Sequence, residues 1–317
     1  MPFLPPSFTL YYYVFLPVKL YFENLDLVYF PNYMLPVIFR GKSLVMLTED
    51  IHYEMSSGSL PFRYRLAYRV FANWAAKHAT KIVTMSESSR GEVAKLFSIS
   101  PERISVNHLG INIGPELRSL HGAHVLHGRH VMTGAYILYV GQAFPRRHLK
   151  ETILAFEQIA PRFPNLHLVA VGKDKYNPSI IADLVKTANQ RLGREAVIHK
   201  DYVSEAELAD LYANARCLIY VSSKEAFGLP PFEALAYGTA PVVSLSGAAE
   251  EILGDKAFFV DDPDSVEAIA AAMREALTNQ AKRSQIISSA SQILGQYTWS
   301  AHADRFLDII RQMVKRQ

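Results

Sequence analysis

Short β-branched and aromatic runs alternate with longer amphipathic stretches along the chain, and this alternation forms two blocks. Such an order is typical of βα units, in which each helix connects two parallel strands. In the first block we predict strands at Leu27–Phe30, Ser43–Thr48, Lys81–Met85 and Arg103–Asn107. In the second block we predict strands at Tyr136–Val140, Leu166–Val171, Val197–Lys200, Cys217–Val221, Pro241–Ser244 and Ala257–Val260. The sequence therefore predicts an α/β fold with two parallel sheets, the second of which is doubly wound by its connectivity.

Helices are predicted between and after these strands. Ser89 with Glu92, and Ser204 with Glu207, have the spacing of a capping box at a helix start. The predicted helices are Phe62–His78, a helix that follows Ser89, Leu149–Ala160, Ile180–Arg191, Glu205–Ala213, Pro230–Tyr237, Asp264–Leu277 and Ala301–Val314. The predicted domains are residues 1–134, residues 135–295 and a C-terminal helix in 296–317 that packs back towards the first domain.

Charge and cysteine content exclude several classes of protein. The chain has 33 Lys and Arg against 30 Asp and Glu, an excess too small for a dedicated nucleic-acid-binding protein. The excess lies in the first block, since residues 1–135 carry 13 basic and 9 acidic side chains and the remainder carries 20 and 21. The single cysteine, Cys217, excludes an intramolecular disulfide and a cysteine-based zinc site of the usual four-ligand kind.

The start of the chain bears on its location. Met1–Val18 is uncharged but contains four prolines and no basic residue, which argues against both a membrane span and a signal peptide. We therefore expect a cytoplasmic protein. Peripheral association with the inner face of the cell membrane is an open alternative.

A histidine-rich stretch lies between the two blocks. His121–Gly134 contains four histidines and three glycines without an apolar period, which indicates a linker. Histidines three residues apart can share a helix face and bind a metal ion, but this stretch lacks carboxylates and its glycines disfavour a helix. We expect a linker here and no metal site.

Two strand-to-helix turns in the second block contain the residues suited to chemistry. In the turn that contains Gly228, the main chain leads into Pro230 and Pro231, which suit a first helical turn and place a helix N-terminus where an anion can bind. Glu225 and Glu233 flank this turn, and ionised carboxylates suit the hydroxyl groups of sugars. The alternative is a solvated loop acid at Glu225 and an exposed helix acid at Glu233.

The second turn follows the first strand of the same block. Gly141 permits close approach of the backbone, and Arg146, Arg147 and Lys150 place cations at the carboxyl edge of the predicted sheet, where parallel sheets bind ligands. Cations are unfavourable at a helix start, so an anionic ligand is expected here, with a solvated basic loop as the alternative. The segment lacks the G-x-G-x-x-G pattern, which argues against a nicotinamide or flavin dehydrogenase.

These two segments, YVGQAFPRRHLKETILAF and SSKEAFGLPPFEALAYGTAPVV, resemble the retaining glycosyltransferases of family 4, which have the GT-B fold of two Rossmann-like domains. LADLYANA, which lies between them, and GAAEEILGDKAFFVDDPD, which follows them, share this resemblance. In the first block, FPNYMLP, VTMSESSRGEV and VNHLGIN are similar to the mannosyl- and rhamnosyltransferase-like members. The chain differs from the family at its start, because nothing that resembles the first βα unit precedes Leu27, and we expect an incomplete first sheet. Either the chain is a truncated form of a longer one, or its aromatic N-terminal residues, Tyr11, Tyr12, Tyr13 and Phe15, cover the exposed sheet by another route.

The resemblance implies roles for individual residues. Glu225, the first glutamate of the E-x7-E motif, would contact the donor sugar, and Glu233 would hold the ribose. The implied catalytic residues are Glu225, Arg147 and Glu49, the last at a position where the family often has histidine. The implied donor-binding residues are Gly141, Gln142, Arg146, Arg147, Phe227, Gly228, Leu229 and Glu233. Glu251 matches a common acid of the family and has no implied role beyond the structure of the donor pocket.

The implied activity is metal-independent, retaining transfer of a mannose-like hexose in surface polysaccharide assembly. The donor would be a nucleotide diphosphate sugar, used as a substrate and not as a cofactor. The acceptor would be a saccharide or a lipid-linked molecule. A different class is also open: a catalytically silent protein that binds nucleotide sugars and serves a partner, since the acceptor domain is expected to be incomplete.

The predicted helix Phe62–His78 permits two interpretations. Phe62, Leu66, Val70 and Trp74 recur every four residues, and Arg63, Arg65, Arg69 and Lys77 surround them. The apolar stripe could pack on the first sheet and leave the cations in solvent. Basic charge with interfacial aromatic residues is also typical of a helix that lies on an anionic membrane.

Overall fold

The computed structural model describes residues 11–50, 52–53, 62–111, 135–245 and 247–314, with the side chains of Tyr13, Arg63 and Tyr64 outside this description. Its strands are β1 (Val28–Phe30), β2 (Ser43–Met46), β3 (Lys81–Thr84), β4 (Ile104–Val106), β5 (Ala135–Val140), β6 (Leu166–Val171), β7 (Val197–Lys200), β8 (Cys217–Tyr220), β9 (Pro241–Ser244) and β10 (Phe258–Val260). Its α-helices are α1 (Leu16–Phe22), α2 (Phe62–His78), α3 (Glu87–Phe97), α4 (Leu149–Ile159), α5 (Ile181–Leu192), α6 (Glu205–Asn214), α7 (Leu229–Ala236), α8 (Gly247–Leu253), α9 (Val266–Thr278), α10 (Gln280–Ser288), α11 (Ala290–Leu294) and α12 (Trp299–Val314). The predicted linker His121–Gly134, with its alternative metal site, lies outside the described residues.

The strands form two parallel sheets, one in each block. The first has the order β1-β2-β3-β4, and the second has the order β10-β9-β8-β5-β6-β7. In the second sheet the chain moves outward from β5 to β7 and then returns to the other side of β5 with β8. Ligands of doubly wound sheets bind at this reversal, beyond the carboxyl ends of the two central strands. The register pairs Leu138 of β5 with Leu218 of β8, so the loops that follow these strands are neighbours.

The α/β architecture with two parallel sheets is confirmed, and all ten predicted strands are present with ends that differ by two residues or fewer. The helix at Glu205 is confirmed together with its cap, since the backbone N–H of Glu207 donates to Ser204 Oγ at 3.2 Å. The helices α1, α8, α10 and α11 were not predicted. They are short, and α10, QAKRSQIIS, is too polar to show a strong apolar period.

The predicted capping box at Ser89 and Glu92 is wrong. Helix α3 begins three residues earlier, at Glu87, because Ser86 has an extended backbone and its Oγ accepts the N–H of Ser89 at 3.0 Å. Ser89 lies inside the helix, where its hydroxyl contacts the Thr84 hydroxyl at 2.5 Å. Ser86, Ser88 and Ser89 are all residues that can cap a helix, and the sequence does not distinguish them. Ser86 is the cap because β3 ends at Thr84 and the helix begins directly after Ser86.

The apolar stripe of α2 does not pack on the first sheet. Phe62, Leu66 and Val70 are 69%, 51% and 50% exposed, and only Trp74 packs partly against the core. The buried face of α2 consists of Tyr68, Ala72, Ala75 and Ala76. Small alanine side chains let the helix approach the sheet closely, and this face is less conspicuous in the sequence than the large residues on the opposite side.

Helix α12 returns to the first sheet. Ile309 packs with Leu44 and Val83, which belong to β2 and β3. The ring of Phe306 contacts Tyr29 edge-on at 4.8 Å. Where the structure describes the chain, none of its helices is both long enough and apolar enough to cross a membrane.

Candidate active site

Two loops meet at the carboxyl edge of the second sheet. The β5–α4 loop (141–148) and the β8–α7 loop (221–228) follow neighbouring strands, and the N–H of Ser223 donates to the carbonyl of Arg146 at 2.9 Å. The sequence-predicted residues of these loops therefore lie together at the reversal of the sheet, where the topology favours a ligand.

A cluster of Arg146, Arg147 and Glu225, called here the arginine cluster, joins the two loops. Glu225 Oε1 accepts from Arg146 Nη1 at 2.6 Å and from Arg147 Nε at 2.8 Å. The three side chains are only 9%, 19% and 13% exposed. Burial alone would raise the pKa of Glu225, but the two guanidinium groups lower it below its ordinary value. Two cations share one carboxylate, so the cluster has an excess positive charge that suits an anionic ligand.

Glycines make this arrangement possible. Gly141 has a φ of +139°, and a Cβ at this position would lie 2.9 Å from Arg147 Nη1. Gly228 has a φ of +84° and lies against the ring of Tyr220. Both positions combine a backbone conformation that disfavours side chains with close approach of a neighbouring group.

The start of α7 is a weaker anion site than the sequence suggests. Gly228 caps the helix without a side-chain hydrogen bond, and Leu229 is its first residue. Pro230 and Pro231 follow within the first turn and have no backbone N–H. Few amides therefore remain for a phosphate group, and the arginine cluster is the main source of positive charge in these two loops.

Glu233 lies farther along α7 and has a different partner. The hydroxyl of Tyr212, from α6, donates to Glu233 Oε2 at 2.7 Å. Burial raises the pKa of Glu233, and this hydrogen bond partly opposes the shift. The contacts described for Glu225 and Glu233 share no residue. Tyr212 lies in the segment LADLYANA, and no sequence pattern marks its contact with Glu233.

The other predicted residues have distinct surroundings. Phe227 is buried and its ring stacks on that of Phe232 at a centroid distance of 5.2 Å, so its side chain is not available to a ligand. Gln142 is exposed at the edge of the β5–α4 loop. A cavity of about 20 Å³ beside Glu225 and Gly228 has room for a single water molecule and is too small for a sugar.

Glu49 lies in the first block and does not join the arginine cluster. It is 1% exposed and accepts a short hydrogen bond from the hydroxyl of Ser89. Burial raises the pKa of Glu49, and the Ser89 hydrogen bond acts in the opposite direction. Its described contacts fix it within the first block instead of presenting it to the β8–α7 loop.

No metal-binding group is present among the side chains that the structure describes: nowhere do three or more His, Cys, Asp or Glu residues come together in a suitable arrangement. The described residues that could hold an anionic ligand are instead the two arginines of the cluster. Together their two positive charges exceed the single negative charge of Glu225.

Residues 128–293 match the family model described as glycosyl transferases group 1. The chain is 31% identical over 228 residues to O-antigen chain mannosyltransferase B of Escherichia coli, in an alignment that covers 70% of this chain and 58% of the relative. It is 24% identical over 253 residues to O-antigen chain mannosyltransferase RfbU of Salmonella typhimurium, which covers 80% of this chain and 65% of the relative. The chain thus spans less than two thirds of the length of these relatives.

Solved structures show the fold. WaaG, a glycosyltransferase involved in lipopolysaccharide biosynthesis, matches with a TM-score of 0.68 at 20% identity, over 94% of this chain and 81% of that chain. Sucrose-phosphate synthase from Thermosynechococcus elongatus matches with a TM-score of 0.74 at 18% identity, over 99% of this chain and 81% of that chain. The predicted α/β architecture of the GT-B type is confirmed.

Proposed function

The chain belongs to the family of glycosyl transferases group 1, and from this premise we propose that it transfers a mannose-like hexose from a nucleotide diphosphate sugar to a lipid-linked or saccharide acceptor. The observation that carries the proposal is the arginine cluster, which lies where the second sheet reverses its strand order. The names of the O-antigen mannosyltransferase relatives support a role in surface polysaccharide assembly.

The cluster suits both parts of such a donor. Arg146 and Arg147 would attract the diphosphate through their positive charge, and the charge that develops on the leaving nucleoside diphosphate would be stabilised by the same cations. Glu225 is held in its ionised form, and its oxygens would accept hydrogen bonds from sugar hydroxyl groups. Glu233, beside Tyr212, would hold the ribose.

We propose that the transfer needs no metal ion and retains the anomeric configuration. Two fixed guanidinium groups can neutralise a diphosphate without a divalent cation. Retention is supported by the resemblance of the E-x7-E segment to the retaining family. We expect turnover to persist in EDTA. We also expect the transferred sugar to have the same anomeric configuration in the product as in the donor, as determined by NMR. An obligatory requirement for Mg²⁺ or Mn²⁺ would contradict the first statement.

The deciding experiment incubates the chain with a panel of nucleoside diphosphate hexoses. Binding is measured by calorimetry, and release of nucleoside diphosphate is measured with and without a lipid-linked acceptor. We expect binding and acceptor-dependent release. If donors bind but no nucleoside diphosphate is released from any of them, the catalytically silent alternative is favoured. If no donor binds, both the transferase and the silent alternative are refuted.

We also propose that α2 contacts an anionic membrane surface. Its exposed face contains Phe62, Leu66 and Val70. The adjacent Arg65 and Arg69 make no ion pair with the residues described in the structure, and α2 contains no acidic residue. Apolar groups with unpaired cations suit a bilayer with anionic headgroups, which would also bring the enzyme to a lipid-linked acceptor.

A further inference from the structure

Helix α3 of the first block and helix α8 of the second block are joined by a carboxylate. Glu251, in α8, accepts the backbone N–H of Glu87 at 3.0 Å and that of Ser88 at 2.8 Å. His108 Nε2 lies 3.0 Å from Glu251 Oε1, and the Glu251 side chain is 22% exposed. One side chain of the second block therefore binds two amides and one imidazole of the first.

The electrostatics favour this contact. The first backbone N–H groups of a helix lack partners within the helix and lie at the positive end of its dipole. Burial alone would raise the pKa of Glu251, but the hydrogen bonds from His108 and from the two amides lower it. Ser86 accepts the next N–H of the helix, that of Ser89. Glu251 therefore completes the cap of α3 from across the junction between the two blocks.

The same helix holds the β8–α7 loop. Ser86 is fully buried, and its hydroxyl donates to the carbonyl of Ala226 at 2.8 Å. Ala226 follows Glu225 directly. On the other side of Glu225, Lys224 Nζ lies 3.3 Å from a carboxylate oxygen of Glu92, in α3. Helix α3 therefore contacts the residues that precede and follow the glutamate of the arginine cluster.

We propose that Glu251 is a positioning residue for the donor site: it holds the start of α3 in place, so that Ser86 and Glu92 fix the loop that carries Glu225. Glu251 itself makes no contact with Glu225 or with either arginine in the interactions described. The inference rests on the proposed function, since the use of Glu225 in donor binding is part of that proposal.

The test compares Glu251→Ala with Glu250→Ala, the preceding residue of the same helix, whose side chain is exposed. Amide hydrogen exchange should accelerate at least tenfold at Glu87 and Ser88 in Glu251→Ala. It should also accelerate at Ser223, whose amide donates to Arg146 at the edge of the loop. The Glu250→Ala variant should exchange as the wild type does. Glu251→Gln, which keeps one acceptor oxygen, should be intermediate and provides a folded variant if Glu251→Ala unfolds.

Activity gives a second readout. The kcat for transfer should fall at least tenfold in Glu251→Ala, while the Kd for nucleoside diphosphate changes less than threefold, because a displaced loop misplaces the sugar more than the phosphates. Ser86→Ala should lower kcat by a similar factor, whereas Ser86→Thr, which keeps the hydroxyl group, should retain the kcat of the wild type. The kcat of the double variant Ser86→Ala with Glu251→Ala should be no lower than that of the poorer single variant.

The outcomes separate the two proposals. Unchanged exchange at Glu87, Ser88 and Ser223 in both Glu251 variants, or fully additive losses in the double variant, would overturn the positioning role. A wild-type chain that turns over no donor would refute the proposed function, whereas the exchange rates would still decide whether Glu251 holds the loop.

Discussion

Two pairs of arginines, one in each block, differ in their burial and in their partners. In the second block, Arg146 and Arg147 are at most 19% exposed and share the carboxylate of Glu225. In the first block, Arg65 and Arg69 are exposed on α2, next to exposed apolar side chains. Buried cations held by a carboxylate have a fixed geometry and suit a small ligand of defined shape. Exposed cations on a helix surface suit a broad, diffuse negative charge.

The strongest test of this contrast is Glu225→Ala. We expect loss of measurable transfer, because the sugar would lose its carboxylate. We also expect the free energy of unfolding to fall by about 3–5 kcal/mol, since the two guanidinium groups would remain buried without their partner. Donor turnover and urea unfolding measure the two effects. Stability is expected to fall because the structure places Glu225 deep between two cations and not merely beside a helix start.

The pH dependence of stability supplies a control for Glu225. Since the pKa of folded Glu225 lies below its ordinary value of 4.5, its ion pairs stabilise the fold above that value and lose this effect as the pH falls through the lowered pKa. The difference in unfolding free energy between the wild type and Glu225→Gln should therefore shrink below about pH 4.5. A difference that stays constant down to pH 2 would show that the carboxylate charge is not what stabilises the cluster.

Arg147→Ala should be the next largest change. The loss of a charged hydrogen bond to the diphosphate is worth about 1.5–3 kcal/mol, so nucleoside diphosphate should bind about 10- to 150-fold more weakly. Lys150→Ala is the matched control, because Lys150 belongs to the same basic segment but its side chain is 46% exposed. Calorimetry with nucleoside diphosphate gives both values. Equal losses in the two variants would mean that the whole segment acts as a diffuse charge, and the contrast with α2 would fail.

The sequence could place the arginine cluster at one sheet edge, because the neighbouring positions of its two loops follow from strand order. Parallel strands place their carboxyl ends at one edge, so Arg147 and Glu225 could be brought together without knowledge of their rotamers. The contacts of Glu251 could not be predicted, because its partners lie 163 and 164 residues away and are backbone amides, which no sequence pattern marks. The face that α2 buries was also hidden, because three of its four residues are alanines, while the larger Phe62, Leu66 and Val70 point outward.

The surface of α2 is tested with liposomes. Each cation near an anionic bilayer contributes about 1 kcal/mol, an attraction that salt screens. We expect binding to anionic but not neutral liposomes, reduced about tenfold or more by the combined change of Arg63, Arg65 and Arg69 to Gln at moderate salt. The control changes Arg162, Lys173 and Lys186 to Gln, three exposed cations of the second block. Equal weakening by both sets would indicate net charge instead of a defined surface, and equal binding to both liposome types would exclude an electrostatic contact.

The smallest expected effect is that of Tyr212→Phe, which acts on Glu233 through a single hydrogen bond. Tyr212→Phe removes the hydroxyl that donates to Glu233, at a cost of about 1 kcal/mol, so the KM for the donor should rise about fivefold with kcat nearly unchanged. Glu233→Ala should weaken donor binding by more, about 1.5–3 kcal/mol, because the ribose would lose its hydrogen-bond acceptor.

The pH dependence of donor binding tests the same glutamate. Burial raises the pKa of Glu233, so as the pH is lowered the donor affinity of the wild type should begin to fall while the pH is still above the ordinary value of 4.5. Removal of the Tyr212 hydrogen bond should move that midpoint further upward, since this bond lowers the pKa of Glu233. A Tyr212→Phe variant with an unchanged KM and an unchanged pH midpoint would show that the Tyr212 hydrogen bond has no part in how Glu233 acts on the donor.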